Sequence, residues 1–328
     1  MRAVENPKIS IVIPVYNADK YIDRCMKSIY SQNFPDFEII FINDASSDGS
    51  LEVLKKYASS DDRIRIIDKH INEGQMSARR DGYSVAQGDY IMFVDSDDFI
   101  EPDTLNSLYD KIEESRADIV VSGYNYYTVD GQVTTKIYSI PFGESKEGVF
   151  RALLERKLYH NLWGNIYNRK LFTSYNYTCL KNQTNGEDMI LFYELVSHSQ
   201  KVVALGKATY GYCQNMESSV NKKRSEEVQR KLINLNLFWY NSMLSQPVEH
   251  ELLERSILKT ILESYLAGYS HKIVTPILRK HSELMKFRKS IKRLGVAKGL
   301  FLQLCYHGVV GESIGRNISK LIVRLRGK

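Results

Sequence analysis

An α/β fold, with a mostly parallel sheet flanked by helices and a C-terminal helical extension, is what this 328-residue sequence predicts. Three observations carry that expectation. Apolar runs of strand length alternate with helical stretches through the first 120 residues. Several of those runs end in Asn, Asp and Ser, the polar residues expected where a parallel sheet opens its ligand crevice. From Ser225 onward the pattern reads as helix alone.

Ile9-Ser-Ile-Val-Ile-Pro-Val15 has the continuous apolar character of a strand buried on both faces, and a helical pattern follows from Asp19 to about Gln32. Phe37 to Asn43 is the second strand and Asp48 to Ala58 the second helix. Ile64 to Asp68 gives a third strand, followed by a helix from about Gln75 to Ala86. Tyr90 to Val94 is the fourth strand, then come a helix from Pro102 to Ser115 and a strand from Asp118 to Gly123. Between about Tyr124 and Gly143 the chain is alternating and turn-rich, which predicts a hairpin around Val129-Asp-Gly131. A mixed region runs to about Tyr212. Helices are then predicted at roughly Glu226–Leu244, Glu249–Tyr269, Thr275–Leu294 and Ser313–Leu325.

Composition narrows the function classes. The 43% hydrophobic and 26% charged content is that of a globular protein. Cys25, Cys179, Cys213 and Cys305 are scattered without a CxxC pair, which fits a reducing compartment and gives no zinc spacing. The first residues lack the apolar core of a secretory signal, and no apolar stretch is long enough to span a bilayer. The net charge of +6 is uneven, because residues 279–328 hold 13 Lys and Arg against two acids, leaving residues 1–278 at −5. No nucleic-acid motif accompanies the basic charge, so nucleic acid is not an expected partner.

Tyr90-Ile-Met-Phe-Val94 runs directly into Asp95-Ser96-Asp97-Asp98, delivering three carboxylates to the end of a buried strand. Like charges so close raise one another's pKa unless a cation or fixed donors compensate. Carboxylate oxygens suit Mg²⁺ or Mn²⁺, and Mg²⁺ commonly takes one or two carboxylates plus substrate phosphates. The cluster therefore reads as a metal-held diphosphate site, or else as capping residues for the helix near Pro102. The loop Asn43-Asp-Ala-Ser-Ser-Asp-Gly-Ser50 offers hydroxyls, carboxylates and a helix N-terminus to a polar ligand, or is a plain capped connection.

Five segments stand in an order and spacing that resembles glycosyltransferase family 2, the inverting nucleotide-sugar transferases of GT-A fold. They are Ile11-Val-Ile-Pro-Val-Tyr-Asn17, Asn43-Asp-Ala-Ser-Ser-Asp-Gly-Ser50, Asn72-Glu-Gly-Gln-Met-Ser-Ala-Arg-Arg-Asp-Gly82, Asp95-Ser-Asp-Asp98 (as the DxD motif) and Gly186-Glu-Asp-Met189. The resemblance covers about residues 7–220. It implies a catalytic domain over 1–220, with a nucleotide-sugar half at about 7–123 and an acceptor half at about 124–220; residues 221–328 form a helical, basic region. It also implies that Pro14, Tyr16 and Asp44 line the base pocket, with Asp44 accepting from the uracil imide N–H. Arg79 would lie near the nucleotide and its diphosphate, Asp95 would meet ribose or metal, and Asp97 would be the main ligand of Mg²⁺ or Mn²⁺. Asp188 would be the general base; Glu187 and Trp163 would lie on the acceptor side.

Alternatives stand beside these roles. Glu187 and Asp188 also suit the first turn of a helix over Met189–Ser197 as favourable charge, and Trp163 also suits an ordinary core position. Three positions depart from the family pattern. Arg80 replaces an Asn, Asn165 replaces a Lys in Trp163-Gly-Asn-Ile-Tyr-Asn-Arg-Lys-Leu-Phe172, and Cys213 replaces a basic residue in Tyr210-Gly-Tyr-Cys-Gln214.

The tail can place Ile314, Ile318, Leu321, Ile322 and Leu325 on one helical face, with Arg316, Lys320, Arg324 and Arg326 on a polar side. That composition resembles a helix lying on anionic lipid, or one packed on the rest of the protein. The activity the resemblance implies is transfer of a sugar from a UDP-sugar to a saccharide acceptor, lipid-linked by family analogy, in capsule, exopolysaccharide or lipopolysaccharide assembly. The expected location is cytoplasmic, peripheral on the inner face of the cell membrane; whether the helical tail forms a homodimer stays open. The competing readings are a sugar-phosphate nucleotidylyltransferase, which would want a Gly-rich basic loop where Pro14-Val-Tyr-Asn-Ala-Asp19 stands, and a non-catalytic nucleotide-sugar-binding scaffold.

Overall fold

The computed structural model describes residues 5–178, 187–215 and 249–266, together with isolated helical positions at 226, 229, 230, 234 and 243. It divides into two units, residues 1–221 and residues 222–328.

The first unit is built on a sheet that is nine-stranded among the described residues. Its strands are β1 (Ile9–Val15), β2 (Phe37–Asn43), β3 (Ile64–Asp68), β4 (Tyr90–Phe93), β5 (Phe99–Ile100), β6 (Ile119–Tyr127), β7 (Val133–Lys136), β8 (Ile166–Asn168) and β9 (Val202–Cys213), in the order β3-β2-β1-β4-β8-β6-β9-β5 with β7 on β6. Strands β3, β2, β1 and β4 are mutually parallel, while β8 joins β4 antiparallel. The sheet is therefore parallel in its first half and mixed beyond it. Every residue of β1 and β2 is buried, as continuous apolar runs between two helical layers require. β1 pairs β2 along its whole length but pairs β4 only as far as Val12. Pro14, which has no N–H to donate, thus falls beyond the β4 register.

The helices are α1 (Asp19–Tyr30), α2 (Ser50–Ala58), α3 (Gln75–Val85), α4 (Thr104–Ser115), α5 (Lys146–Leu154), α6 (Lys170–Ser174) and α7 (Glu187–His198). α1 buries Ile22, Cys25, Met26 and Ile29, the i, i+3, i+4, i+7 stripe of an amphipathic helix. α3 lies so close to the sheet that a Cβ on Gly82 would stand 2.6 Å from Ile42 Cδ1 and overlap Val12 Cγ1. Only glycine permits that approach, and it sets the height at which Arg79, one turn earlier, enters the sheet's end.

Several boundaries differ from the sequence expectation for identifiable reasons. α2 starts at Ser50, not Asp48, because Asp48 Oδ1 accepts the Ser50 N–H at 3.0 Å and Oδ2 accepts the Asp19 N–H at 3.2 Å. α4 starts at Thr104, not Pro102: Asp103 is left-handed, with φ 63°, and its side chain makes no cap hydrogen bond. β6 continues to Tyr127 because its tyrosine-rich end pairs with both β7 and β9. The long β9, the short β5 and helix α5 fall in stretches where no individual element is expected.

In the second unit, α8 (His250–Leu266) matches the helix expected from residue 249, and its buried residues include Leu253, Ile257, Leu258 and Ile261. Most of the helix expected at 226–244, the helices at 275–294 and 313–325 and the basic tail lie outside the described residues. Among the described residues no helix is long and apolar enough to cross a membrane.

Candidate active site

The C-terminal ends of β1, β2 and β4 converge on one crevice. The loops after β1 and β2 are tied together: Asn17 Oδ1 accepts the Ser47 N–H at 2.8 Å, Ser50 Oγ accepts the Ala18 N–H at 2.9 Å, and Val15 O accepts the Asp44 N–H at 2.8 Å. Asn17 and Ala45 take positive φ, at 49° and 58°, to make these turns. Tyr16 stands at the rim, 54% exposed, whereas Pro14 is buried.

Asp44 is buried at the end of β2. Its carboxylate accepts the backbone N–H groups of Glu73 and Gly74 at 3.1 and 2.8 Å, and Lys69 Nζ lies 2.9 Å from Oδ1. Lys69 also reaches Glu73 at 3.2 Å and Asp81 at 3.3 Å. Burial pulls the Lys69 pKa down, but its carboxylate partners outweigh that and hold it above the ordinary lysine value. A carboxylate has about four acceptor directions, so three contacts leave Asp44 about one for a ligand donor.

Arg79 is the hub of the crevice. Fully buried on α3, it donates from Nη2 to Asp95 Oδ1 at 2.8 Å and from Nη1 to Asp188 Oδ1. One guanidinium thereby joins the end of β4 to the first turn of α7, positions nearly a hundred residues apart. Gln75 Nε2 adds a second donor to Asp95 Oδ1 at 2.9 Å, and the Leu162 N–H reaches Asp188 Oδ2 at 3.5 Å. Burial pushes Asp95 up to about 6; Arg79 opposes this, while Asp188 and Asp97 reinforce it. Glu187, 5% exposed, is raised by burial and by neighbouring Asp188. Among the described residues Glu187 Oε2 and Arg79 Nε are buried without a hydrogen-bond partner. Buried polar atoms without a partner are unusual in a folded protein.

The three carboxylates of the Asp95–Asp98 cluster separate in space. Asp98 is buried, accepting from Tyr210 OH and the Cys213 N–H at 2.8 Å each, so it anchors β9 rather than a ligand. Tyr210 OH also accepts the Asp95 N–H at 3.0 Å. Asp97 is half-buried; its Oδ2 accepts from Asn215 Nδ2 at 3.0 Å and its carbonyl from Arg24. Oδ1 of Asp97 and Oδ2 of Asp95 have no hydrogen-bond partner among the described residues. Two oxygen donors, two residues apart, fit Mg²⁺ or Mn²⁺ completed by phosphate oxygens. Among the described residues no group of three or more His, Cys, Asp or Glu side chains forms a self-sufficient metal cage. None of the cluster caps α4, whose N-cap is Asp103.

Trp163 is held by three tyrosines. It stacks on Tyr210 and Tyr212, with ring centroids 4.5 and 5.2 Å apart, and meets Tyr124 edge-on at 5.2 Å. That packing is what the core alternative describes. Asn165, the replacement for a family Lys, is wholly buried; it accepts the Ser122 N–H at 3.0 Å and donates to Asn161 O at 2.7 Å and to Tyr167 OH at 3.1 Å. It therefore cross-links β6 to the Trp163 loop. Cys213 is half-buried, its thiol pushed up to about 11 mainly by burial. Sequence reasoning missed Lys69, Gln75 and Tyr210. Lys69 directly follows a strand, and Gln75 and Tyr210 stand inside segments compared with the family pattern, which is the signal that could have found them.

The chain matches the family described as glycosyl transferase family 2 over residues 10–177. It belongs to that family. Relatives include glycosyltransferase GlyA of Streptococcus pneumoniae serotype 4, 34% identical over 214 residues, which are 62% of this chain and 30% of that protein. Another is poly(ribitol-phosphate) beta-glucosyltransferase of Bacillus spizizenii, 41% identical over 117 residues, 35% of this chain and 18% of that protein. Among solved structures, residues 1–349 of S. aureus TarS in complex with UDP-GlcNAc superpose with a TM-score of 0.67 at 17% identity, covering 92% of this chain and 91% of that one. The fold is the GT-A fold, and the protein is a glycosyltransferase. Family membership sets aside the nucleotidylyltransferase alternative.

Proposed function

We propose that this glycosyltransferase moves a sugar, with inversion, from a UDP-sugar to a saccharide acceptor. The observation that carries the reading is the Arg79 guanidinium shared by Asp95 and Asp188, which sets the acidic end of β4 beside the head of α7. Donor chemistry needs the first group and acceptor chemistry the second. The UDP-GlcNAc bound to TarS supports a UDP-sugar donor, and the name of the Bacillus relative, a poly(ribitol-phosphate) beta-glucosyltransferase, supports transfer of a sugar onto a hydroxyl-bearing polymer.

In this reading Tyr16 and Pro14 flank the base, and Asp44, fixed by Lys69 and the 73–74 amides, turns its remaining acceptor direction to the uracil imide. Arg79 lies by the diphosphate. Asp97, with Asp95, would hold Mg²⁺ or Mn²⁺, which when bound supplies positive charge against the negative charge building on the departing diphosphate. Asp188 Oδ2, whose one hydrogen bond among the described residues is the long Leu162 contact, takes the proton of the attacking acceptor hydroxyl as that oxygen bonds to the anomeric carbon from the face opposite UDP. Glu187 lies beside it on the acceptor side. One displacement inverts the centre and needs no covalent enzyme intermediate. The acceptor is further proposed to be lipid-linked, with the basic C-terminal region resting on the inner membrane face.

The test is turnover of UDP-sugars by the Asp188→Asn variant, with UDP binding measured alongside. Loss of a general base costs roughly 10²–10⁴-fold in rate. Unchanged turnover, or a product that retains the donor's anomeric configuration, would end this reading.

A further inference from the structure

The paired ends of β6, β9 and β7 sort their side chains by face. Register sets Tyr124 opposite Tyr210 and Tyr126 opposite Tyr212, while Lys136 and Thr134 of β7 stand opposite Tyr124 and Tyr126. Directly opposed residues share a face, so four tyrosines form one surface that continues into an exposed lysine and threonine. The reverse face is closed: Phe99 packs on Tyr127 at 5.1 Å, and Glu101 accepts from Asn125 and Tyr127 at 2.8 Å each.

The tyrosine face is continuous with the candidate active site at two points. Its deep end is Tyr210, whose hydroxyl contacts both Asp95 and Asp98. Its side is the 159–163 segment, where Leu162 donates to Asp188 and Trp163 stacks into the wall. Further out, Tyr126 lies 5.6 Å from Tyr212, and Tyr138 links Tyr124 to Tyr159 at 6.1 and 6.0 Å. Tyr126 and Tyr212 are half-buried and Tyr159 is 45% exposed. The hydroxyls of all three have no hydrogen-bond partner among the described residues.

We propose that Tyr126, Tyr212 and Tyr159 form a saccharide subsite that carries the acceptor chain toward Asp188. The proposal rests on the reading of Asp188 as the base. A pyranose presents flat C–H faces rimmed by hydroxyls. The wall presents partly exposed aromatic rings with unmatched phenol hydroxyls, and its border is polar, with Thr134 and Lys136. An apolar partner would call for aliphatic side chains at that border, yet the register puts Val133 with Tyr127 on the reverse face.

The experiment compares the wild type, Tyr126→Ala/Tyr212→Ala, Tyr126→Phe/Tyr212→Phe and Tyr159→Ala. Each receives two probes: UDP with Mn²⁺ by calorimetry, and cellotetraose, maltotetraose and chitotetraose by saturation-transfer NMR. The phenylalanine pair keeps the ring faces and should retain saccharide binding. The alanine pair should lose roughly tenfold in saccharide affinity, on the order of two aromatic contacts, with UDP affinity unchanged. Tyr159→Ala, at an exposed position that leaves the core intact, should lose about threefold and decides the matter if the double variant fails to fold. Equal saccharide binding by wild type and ring-deleted variants, or none by a wild type that binds UDP, would overturn the subsite. A wild type that binds saccharide but not UDP would instead overturn the donor reading, leaving the subsite in place.

Discussion

Replacing Arg79 with lysine tests the hub directly. The guanidinium serves two carboxylates through separate nitrogens, Nη2 to Asp95 and Nη1 to Asp188. A lysine ammonium is a point charge on a flexible stem and cannot present that planar fork. It satisfies one carboxylate and deserts the other. A hydrogen bond to a charged group contributes about 1.5–3 kcal/mol. The side chains of Asp95 and Asp188 are 15% and 23% exposed, so water relieves part of the loss and the lower end, about 1.5–2 kcal/mol, applies. Arg79→Lys should therefore lower the free energy of unfolding by that amount, read as a lower urea midpoint at unchanged m. If lysine keeps Asp95, the proposed base Asp188 is left unoriented, and a misplacement of about 1 Å can cost on the order of 10²-fold in rate. Urea unfolding and UDP-sugar turnover on the same preparation read both effects. A variant as stable and as active as wild type would show that the bridge positions nothing.

Lys69→Met should weaken UDP binding by about tenfold, because Asp44 loses the cation that sits against it; calorimetry with UDP and Mn²⁺ reads this, and wild-type affinity would refute it. Gly82→Ala should destabilise the fold by about 1–3 kcal/mol, since its methyl meets Ile42 and Val12 across a tight helix–sheet contact, and thermal melts report the loss. Asp61 gives a pH signature. Burial alone would raise its pKa, but the side-chain and backbone hydrogen bonds of Arg63 prevail and hold it below the ordinary carboxylate value. A lowered native pKa means stability present above about pH 4 and lost as pH falls through the native value. The destabilisation caused by Asp61→Asn, measured as urea midpoints, should thus be full at about pH 7 and fade as pH falls through the lowered native pKa.

Sequence by itself determined the first half of the fold. Ile9–Val15 and Phe37–Asn43 are apolar at nearly every position, a pattern that fits strands covered on both faces, and the intervening helix carries its apolar stripe openly. It also named the acidic ends of β2 and β4, because a strand's polar terminus is a local feature. What each carboxylate does was decided only by tertiary contacts. Asp95, Asp97 and Asp98 look alike along the chain, yet Asp98 turns inward to Tyr210 and the Cys213 amide from β9 while Asp97 stays half-exposed. The same is true of Arg79 and Asp188, 109 positions apart, and of the tyrosine wall, whose members come from β6, β9 and the loop before β8. Local pattern reports which way a side chain leans from its own backbone. Partners separated by a hundred residues meet only through strand order and register, and a single segment carries no record of either.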